Sequence, residues 1–310
     1  MTKHLVVCID TLITLPPLNF DYDLTEYPST TPEDLPSRIK DATIVVTNTT
    51  PVTKKKNHLN RPEPPAHSVT AAKARNVIVS HVPAQSAASV SEHAFALYFA
   101  LRRNILPLHA LTLDGKTWAG DNMLHKHFAH PPRTNAEETL VVVGYGAIGK
   151  NVAAIGSALG MRVLVAERKG AGSVREGRTG FEECLKEGTV FVVVVPSSSD
   201  GSTKDMFARR EFEVMNESAV IVNAGRGGAI NESDLVEALK SKQIGGAATD
   251  VYENEPATKE NCPLLDPMIP NLVLTPHIAW FSSSTIKNTV AMAKANLEAF
   301  AAGKPQNVVQ

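Results

Sequence analysis

A glycine-rich segment, GYGAIG at residues 144–149, stands between an apolar run that ends at Val143 and a helical pattern. In a segment of this kind, Gly144 allows a tight turn, Gly146 lets the backbone approach a pyrophosphate, and Gly149 lets the helix pack closely against the strand. The start of the helix presents free N–H groups and the positive end of its dipole to the phosphates. The segment therefore predicts a binding site for a dinucleotide.

An acidic residue, Glu167, ends the next predicted strand, as this kind of dinucleotide site requires. We expect its carboxylate to hydrogen-bond the ribose hydroxyls of NAD and to repel the 2′-phosphate of NADP. Arg168 and Lys169 follow directly, and they are able to hold that phosphate if Glu167 turns aside. The sequence therefore favours NAD and leaves NADP open.

Three further polar segments each follow an apolar run. They are NAGRGG at residues 223–228, DVYENEP at residues 250–256 and TPHIAW at residues 275–280. In open α/β sheets, ligands bind outside the carboxyl ends of the strands. Because all three segments are expected at those ends, they are candidates for a substrate site.

The elements that must position these segments are short apolar runs separated by helical patterns. Runs that are apolar on nearly every residue suit strands buried on both faces of a parallel sheet, and strand–helix alternation predicts a doubly wound α/β architecture. Helices are predicted at residues 87–103 and 231–242, the second with Asn231 as its N-cap, and loops at residues 51–69 and 121–135. Strands are predicted at residues 4–9, 43–48, 76–82, 139–146, 162–167, 190–196, 219–224, 246–251 and 272–278.

Composition excludes several classes of partner. The formal net charge is -1, so we expect neither nucleic acid nor a membrane surface as a partner. We find no signal-peptide pattern and no apolar run of about 18 residues, which together with three widely spaced cysteines favours a cytoplasmic protein with reduced thiols. No metal site is expected, because no carboxylate or thiol stands at ligand spacing beside His125, His127 and His130.

The four motifs GYGAIG, NAGRGG, DVYENEP and TPHIAW, in this order and at comparable spacing, resemble the signature of the D-isomer-specific 2-hydroxyacid dehydrogenases. The Ala279-Trp280 pair and the strand end VAERK are similar to the glycerate dehydrogenase branch, which reduces hydroxypyruvate and glyoxylate. The resemblance implies an NAD-dependent, D-specific oxidoreductase acting on a small 2-oxo or 2-hydroxy acid. It also implies a homodimer, with a Rossmann domain at residues 84–281 and a smaller flavodoxin-like substrate domain at residues 1–83 and 282–310.

The same resemblance assigns roles to individual residues. Arg226 is expected to bind the carboxylate and carbonyl of the substrate, for which the planar guanidinium fork is suited. His277 is expected to be the general acid in reduction and the base in reverse, with Glu255 raising its pKa, and Asp250 is expected to contact the nicotinamide carboxamide. The full set of expected cofactor contacts is Gly144, Tyr145, Gly146, Ala147, Ile148, Gly149, Glu167, Arg168, Pro196, Ala224, Gly225, Arg226, Asp250 and His277.

One part of the chain departs from the family pattern. Between Thr53 and Ala71 the family carries a strand and a glycine-containing loop that holds the substrate carboxylate, whereas this chain has a short proline-rich stretch. We therefore expect a truncated small domain, and losing part of the substrate wall would slow turnover without changing a catalytic residue. Two alternatives follow: a weakly active or inactive NAD(H)-binding scaffold of the same fold, or a defective copy that folds poorly.

Overall fold

The computed structural model describes residues 3–48, 50, 52, 72–83, 86–120, 124–128, 131–198 and 200–309. The chain divides into two compact units, one comprising Ser86–Phe281 and the other comprising Met1–Gln85 with Ser282–Gln310.

Strands and helices alternate along most of the described chain. The strands are β1 (His4–Cys8), β2 (Tyr22–Glu26), β3 (Ile44–Val46), β4 (Thr139–Val143), β5 (Arg162–Val165), β6 (Val190–Val193), β7 (Val220–Asn223), β8 (Gly246–Thr249) and β9 (Leu272–Leu274). The helices are α1 (Leu35–Ile39), α2 (Ala87–Arg102), α3 (Ile105–Leu113), α4 (Thr117–Gly120), α5 (Ala147–Ala158), α6 (Phe181–Glu187), α7 (Arg209–Val214), α8 (Glu232–Lys240) and α9 (Ser283–Ala301). Short 3₁₀ turns lie at Leu124–His127, Asn135–Glu137, Gly227–Ala229 and Pro263–Leu265.

The larger unit is built on a parallel sheet of six strands in the order β5-β4-β6-β7-β8-β9. Alternate residues of each central strand enter separate apolar clusters on its two faces, for example Val141 on one face and Val142 on the other. This two-sided burial explains why the runs are apolar on nearly every residue. The predicted doubly wound α/β class and these six strands are confirmed.

Each of these six strands ends before its predicted limit, because the last residues of the apolar run leave the ladder and form a loop. The strand predicted at residues 139–146 ends at Val143, and the one predicted at residues 272–278 ends at Leu274. The helix predictions are also confirmed, and the Asn231 side chain caps α8 by accepting a hydrogen bond from the backbone N–H of Asp234 at 3.0 Å.

The smaller unit contains a parallel sheet whose described strands are ordered β2-β1-β3. Helix α9 supplies Ala293 and Leu297 to the same apolar cluster as Val6 and Cys8 of β1. Strand β2, with the sequence YDLTE, was not predicted because it is polar and has no buried residue. Such a sequence is tolerated in a strand at the edge of a sheet.

The strand predicted at residues 76–82 is wrong. Asn76 has a left-handed backbone with φ 55°, and the side chains of Val77 and Ile78 are exposed. The segment instead makes one antiparallel bridge, between Ser80 and Val308 near the end of the chain. An apolar run predicts a strand only when a neighbouring strand covers it, and this condition cannot be read from the run itself. The expected loss of a strand and loop between residues 53 and 71 lies outside the described residues and stays a prediction.

A buried ion pair ties α2 to the larger sheet. The Nε of Arg102 lies 2.6 Å from Glu138 Oε1, and the side chain of Glu138 is fully buried. The two terminal nitrogens of Arg102 donate to the carbonyls of Ser218 at 2.9 Å and Thr189 at 3.0 Å. Glu138 also accepts a hydrogen bond from the Thr189 hydroxyl.

Replacing Arg102 with methionine is expected to lower the free energy of unfolding by about 3–5 kcal/mol, because Glu138 keeps a buried charge that has lost its partner. Chemical denaturation measures the change. Arg103→Met is the matched control, since Arg103 lies next to it with an exposed side chain. Equal stability of the two variants would contradict the importance of the pair.

Candidate active site

The glycine-rich segment forms the turn between β4 and α5. Gly144 has φ +96°, and a Cβ atom on Gly149 would lie 1.9 Å from the carbonyl oxygen of Gly144, so only glycine fits there. Gly146 is the N-cap of α5, and no side chain caps the helix. A Cβ atom on Gly146 would meet nothing within 4 Å, so there is open space beside the backbone at the start of α5. Uncapped amides beside an open backbone fit the pyrophosphate of a dinucleotide.

The predicted cofactor residues lie along one edge of the larger sheet. Because the strands are parallel, the loops that follow them meet at the carboxyl ends. The structure places Glu167 and Arg168 after β5, Pro196 after β6, Ala224 with Gly225 and Arg226 after β7, Asp250 after β8 and His277 after β9, all at the edge where the glycine turn follows β4. Their contacts with the cofactor stay predictions.

The loop that carries Arg226 is shaped by a buried amide and by a close backbone approach. Asn223 donates from Nδ2 to the carbonyl of Arg226 at 2.9 Å and accepts from the backbone N–H of Gly225 at 3.1 Å. A Cβ atom on Gly227 would lie 1.9 Å from the backbone of Tyr252, so this loop can pass the next one only with glycine. Arg226 is an exposed residue, and its Nη1 donates to the carbonyl of Gly225 at 2.7 Å.

Asp250 organises the loop that carries His277. Its Oδ1 accepts from the Thr275 hydroxyl at 2.6 Å and from the backbone N–H of Ile278 at 2.9 Å, and its Oδ2 accepts from the backbone N–H of Ala279 at 2.8 Å. These bonds hold His277 in a left-handed backbone with φ 52°. A carboxylate has about four acceptor positions, and the described residues fill three of those on Asp250. The predicted contact of Asp250 with the nicotinamide carboxamide stays a prediction.

His277 and Glu255 form an ion pair, with 2.7 Å between His277 Nδ1 and Glu255 Oε2. The other oxygen, Glu255 Oε1, accepts from the backbone N–H of Tyr252 at 2.9 Å, which fixes the carboxylate. The hydrogen bond that His277 donates to Glu255 raises the pKa of His277 above its ordinary value, against burial and the charge of Arg226. Burial alone raises the pKa of Glu255, but the hydrogen bonds from His277 and Tyr252 outweigh it, and the pKa is lowered.

This pair predicts a pH dependence. In the reductive direction His277 acts when protonated, so kcat/KM falls as the pH rises through its raised pKa. Glu255→Gln removes the carboxylate charge, so the pKa of His277 falls and the descending limb is expected to move to lower pH by about 1–3 pH units. A pH–rate profile measures the limb, and Glu253→Gln, at an exposed neighbouring carboxyl, is the control. An unmoved limb in Glu255→Gln would remove the pair from the titration.

Several positioning residues were missed from the sequence. Glu232 accepts from the backbone N–H of Glu253 at 2.8 Å and so fixes the segment that carries Glu255. Ser89 donates to the carbonyl of Ala279 at 2.5 Å, and Trp280 Nε1 donates to the carbonyl of His277 at 3.0 Å. Glu232 and Ser89 stand on helices where the sequence indicates only a capped first turn and an amphipathic face, so no local signal identifies them.

Glu167 is arranged differently from the expectation. Its carboxylate accepts hydrogen bonds from Arg175 rather than standing open for a ribose. Lys169, which the sequence offered as a phosphate ligand, lies 2.9 Å from Glu211 Oε1 and donates to the carbonyl of Met206 at 2.9 Å. The ammonium group of Lys169 is therefore bound to α7 and to the loop that precedes it.

A parallel sheet, a glycine turn and a charged carboxyl edge together define an α/β protein that binds a dinucleotide. Residues 95–279 match the family model described as "D-isomer specific 2-hydroxyacid dehydrogenase, NAD binding domain". The chain belongs to the D-isomer specific 2-hydroxyacid dehydrogenase family, and the matched residues are its NAD-binding domain.

Relatives extend the match to nearly the whole chain. Glycerate dehydrogenase of Methylorubrum extorquens is 35% identical, with 94% of this chain and 93% of the relative covered. Hydroxypyruvate reductase of Blautia hydrogenotrophica is 30% identical, with 93% and 90% covered. The NAD-complexed D-isomer specific 2-hydroxyacid dehydrogenase of Lactobacillus delbrueckii ssp. bulgaricus superposes with a TM-score of 0.71 at 20% identity, covering 100% of both chains, which shows the shared fold.

Proposed function

We propose that the protein is an NAD(H)-dependent oxidoreductase that interconverts a small 2-oxo acid and the corresponding D-2-hydroxy acid. The observation that carries the proposal is the 2.7 Å ion pair between His277 and Glu255, held at the carboxyl edge of a dinucleotide-binding sheet. A histidine whose protonated form is stabilised by a neighbouring carboxylate is what reduction of a carbonyl requires from the protein.

Arg226 binds the substrate in this proposal. Arg226 is an exposed residue that follows β7, and the effect of its positive charge on the pKa values of both His277 and Glu255 supports a role in the same site. A guanidinium pairs with a carboxylate through two parallel hydrogen bonds and polarises a neighbouring carbonyl. The substrate class that fits is therefore an anion with a carbonyl beside its carboxylate.

His277 supplies the proton. NADH, when bound, supplies the hydride to the substrate carbon. His277 Nδ1 is held by Glu255, so the opposite ring nitrogen, Nε2, is the atom that donates a proton to the substrate oxygen. In the reverse direction the neutral ring accepts that proton, and Glu255 stabilises the imidazolium that forms.

The relatives favour particular substrates. The names glycerate dehydrogenase and hydroxypyruvate reductase belong to proteins that align with nine-tenths of this chain. We therefore propose hydroxypyruvate or glyoxylate as the preferred 2-oxo acid. We also propose a cytoplasmic location, which the buried thiols Cys8, Cys184 and Cys262 support. Among the described residues, no helix is long and apolar enough to cross a membrane.

The rate of NADH oxidation tests the proposed function. Absorbance is followed while hydroxypyruvate, glyoxylate and pyruvate are offered in turn to the purified protein. Saturable turnover with hydroxypyruvate or glyoxylate is the expected result. A folded protein that binds NADH and turns over none of the three acids would contradict the proposed activity and favour a cofactor-binding scaffold.

We further propose that the protein is a homodimer joined through the larger units. Helix α3 is almost entirely apolar, yet none of its residues is buried. Ile105, Leu106 and Leu113 of α3 and Trp118 of α4 are all exposed, with Leu113 reaching 73%. Exposed apolar surface concentrated in one segment is typical of an interface, and in this family the partner that the resemblance implies is a second copy.

The double substitution Leu106→Glu with Leu113→Glu is expected to convert the dimer into a monomer, because two carboxylates would be buried at the interface. Light scattering after size-exclusion chromatography measures the mass. Met268→Glu is the control, since Met268 is an exposed apolar residue of the same unit at 79%. A monomeric wild-type protein would overturn the proposal.

A further inference from the structure

The hydrogen-bonding capacity of Glu167 is filled by two neighbouring residues. Its Oε1 accepts from the backbone N–H of Arg168 at 2.8 Å and from Arg175 Nη2 at 2.5 Å. Its Oε2 accepts from the backbone N–H of Arg175 at 3.1 Å and from Arg175 Nε at 2.7 Å. A carboxylate offers about four acceptor positions, so Glu167 has none left for ribose hydroxyls unless Arg175 leaves.

The pair also changes the charge that a coenzyme meets. The side chain of Glu167 is only 3% exposed, whereas that of Arg175 is 55% exposed and stands on the solvent side. The hydrogen bonds from Arg175 hold the pKa of Glu167 well below its usual range, so the carboxylate stays ionised and paired. The negative charge that would repel a 2′-phosphate is thus buried behind a guanidinium of opposite sign.

Arg175 keeps donors for a ligand. A guanidinium has five N–H donors in a fixed fork, and Glu167 uses one on Nε and one on Nη2. The remaining donors, including both on Nη1, form no hydrogen bond with any residue that the structure describes. A planar fork with free N–H groups suits a phosphate, which binds arginine in a bidentate manner.

The same segment carries a second exposed arginine. Arg168 is exposed and follows Glu167 directly, and no described carboxylate pairs with its side chain. The segment from Glu167 to Arg178 carries four cationic side chains and two acidic ones. Since Lys169 is committed to Glu211, Arg168 and Arg175 are the cations at the strand end that remain available.

The position of this segment identifies the part of the coenzyme that it faces. Strand β5 pairs in parallel with β4, whose end becomes the glycine turn. The guanidinium of Arg178 lies over the ring of Tyr145 in that turn, 4.6 Å from the ring centre, so the segment and the turn are in direct contact. In this fold the residues at the end of the second strand meet the 2′ position of the adenosine ribose.

We propose that Arg175 and Arg168 form a binding site for the adenosine 2′-phosphate, so that the protein accepts NADP(H) at least as well as NAD(H). Glu167 is then a positioning residue that holds Arg175 rather than a ribose ligand. The proposal deepens the proposed function by naming a second coenzyme, and it rests on dinucleotide binding but not on the reaction.

Coenzyme fluorescence tests the proposal without turnover. The purified protein is titrated with NADPH and, separately, with NADH, and the two dissociation constants are compared. We expect the constant for NADPH to be equal to or lower than that for NADH. A constant for NADPH more than tenfold higher would overturn the proposal, and so would failure of both coenzymes to bind. Normal binding without turnover would instead count against the proposed reaction alone.

Arg175→Ala separates the two coenzymes. It is expected to weaken NADPH binding by about 10- to 100-fold, the effect of losing charge-assisted hydrogen bonds to a phosphate. NADH binding should stay unchanged or strengthen, because the carboxylate of Glu167 becomes available to the ribose. Arg162→Ala is the matched control, since Arg162 begins the same strand and pairs with Glu187 at 2.6 Å. An equal loss for both coenzymes in Arg175→Ala would contradict the assignment.

Glu167→Gln distinguishes a positioning residue from a ribose ligand. Glutamine at position 167 holds Arg175 less firmly than glutamate does, but it also removes the negative charge of the carboxylate. The affinity for NADH should therefore change little, and the preference for NADPH should not fall. A selective loss of NADH binding in this variant would show that the carboxylate contacts the ribose after all, and would overturn the proposal. Circular dichroism confirms that each variant is folded.

Discussion

Replacing His277 with alanine is expected to lower kcat for reduction of the 2-oxo acid by about 10²–10⁴-fold, the usual contribution of a positioned general acid. No other group in the described site combines a raised pKa with a ring nitrogen left for the substrate. The dissociation constant for NADH should change little, because the glycine turn and its helix are separate from the His277 loop in sequence and in hydrogen bonding. Stopped-flow kinetics and a fluorescence titration measure the two quantities.

His125→Ala is the control for this variant, since His125 is exposed and lies in a separate 3₁₀ turn. It should retain wild-type kcat. If His277→Ala also retained activity, the proton would have to come from another group, and the ion pair with Glu255 would lose its proposed role. If His277→Ala instead lost NADH affinity in parallel with kcat, the residue would be holding the cofactor rather than the proton.

Replacing Arg226 with lysine is expected to lower kcat/KM by about 100-fold or more, as removal of a preorganised donor does. The ammonium of lysine keeps the charge but cannot form the paired hydrogen bonds of the guanidinium fork. Because the same contact polarises the carbonyl, the loss should appear in kcat as well as in KM.

Arg209→Lys is the matched substitution elsewhere, at an exposed arginine whose nearest carboxylate, on Asp234, is 3.9 Å away. It should leave both kinetic constants unchanged. A purely KM effect in Arg226→Lys would show that Arg226 holds the substrate without acting on its carbonyl. An unchanged kcat/KM would remove Arg226 from the site.

The larger unit could be predicted from the sequence because its signals are local. Strands such as β6 and β7 are buried on every residue, so their apolar runs stand out from the helices around them. The glycine segment is constrained in the same local manner, since Gly149 touches the backbone of Gly144 only five residues earlier. Order along the chain then fixes which loops share the carboxyl edge, because parallel crossovers allow few alternatives.

The features that the sequence did not predict have a common physical cause, which is pairing between distant or irregular segments. The apolar run at residues 76–82 contacts the chain terminus at Val308 instead of a neighbouring strand, and no pattern within the run indicates it. The partner of Glu167 is Arg175 in the following loop, and a loop conformation decides that pairing rather than a periodicity. The motif rule predicted the type of residue at the strand end but not its pairing with Arg175.

The supporting groups of the site were hidden for a related reason. Asn223 and Asp250 belong to recognisable motifs, yet their side chains bind backbone groups of the loops, and Glu232 does the same from a helix. Such contacts depend on how two loops approach each other, as Gly227 and Tyr252 do. Sequence motifs therefore indicated which loops matter, whereas the structure shows what holds them in place.

Transfer of deuterium from the coenzyme to the substrate tests the central claim most directly. The protein is incubated with hydroxypyruvate or glyoxylate and NADH that carries deuterium at both C4 positions, and the hydroxy acid is analysed by mass spectrometry. We predict one deuterium bound to the carbon that was the carbonyl carbon, formed by wild-type protein and formed about 10²–10⁴-fold more slowly by His277→Ala. A hydroxy acid without deuterium, or no hydroxy acid from a folded protein that binds NADH, would contradict the account.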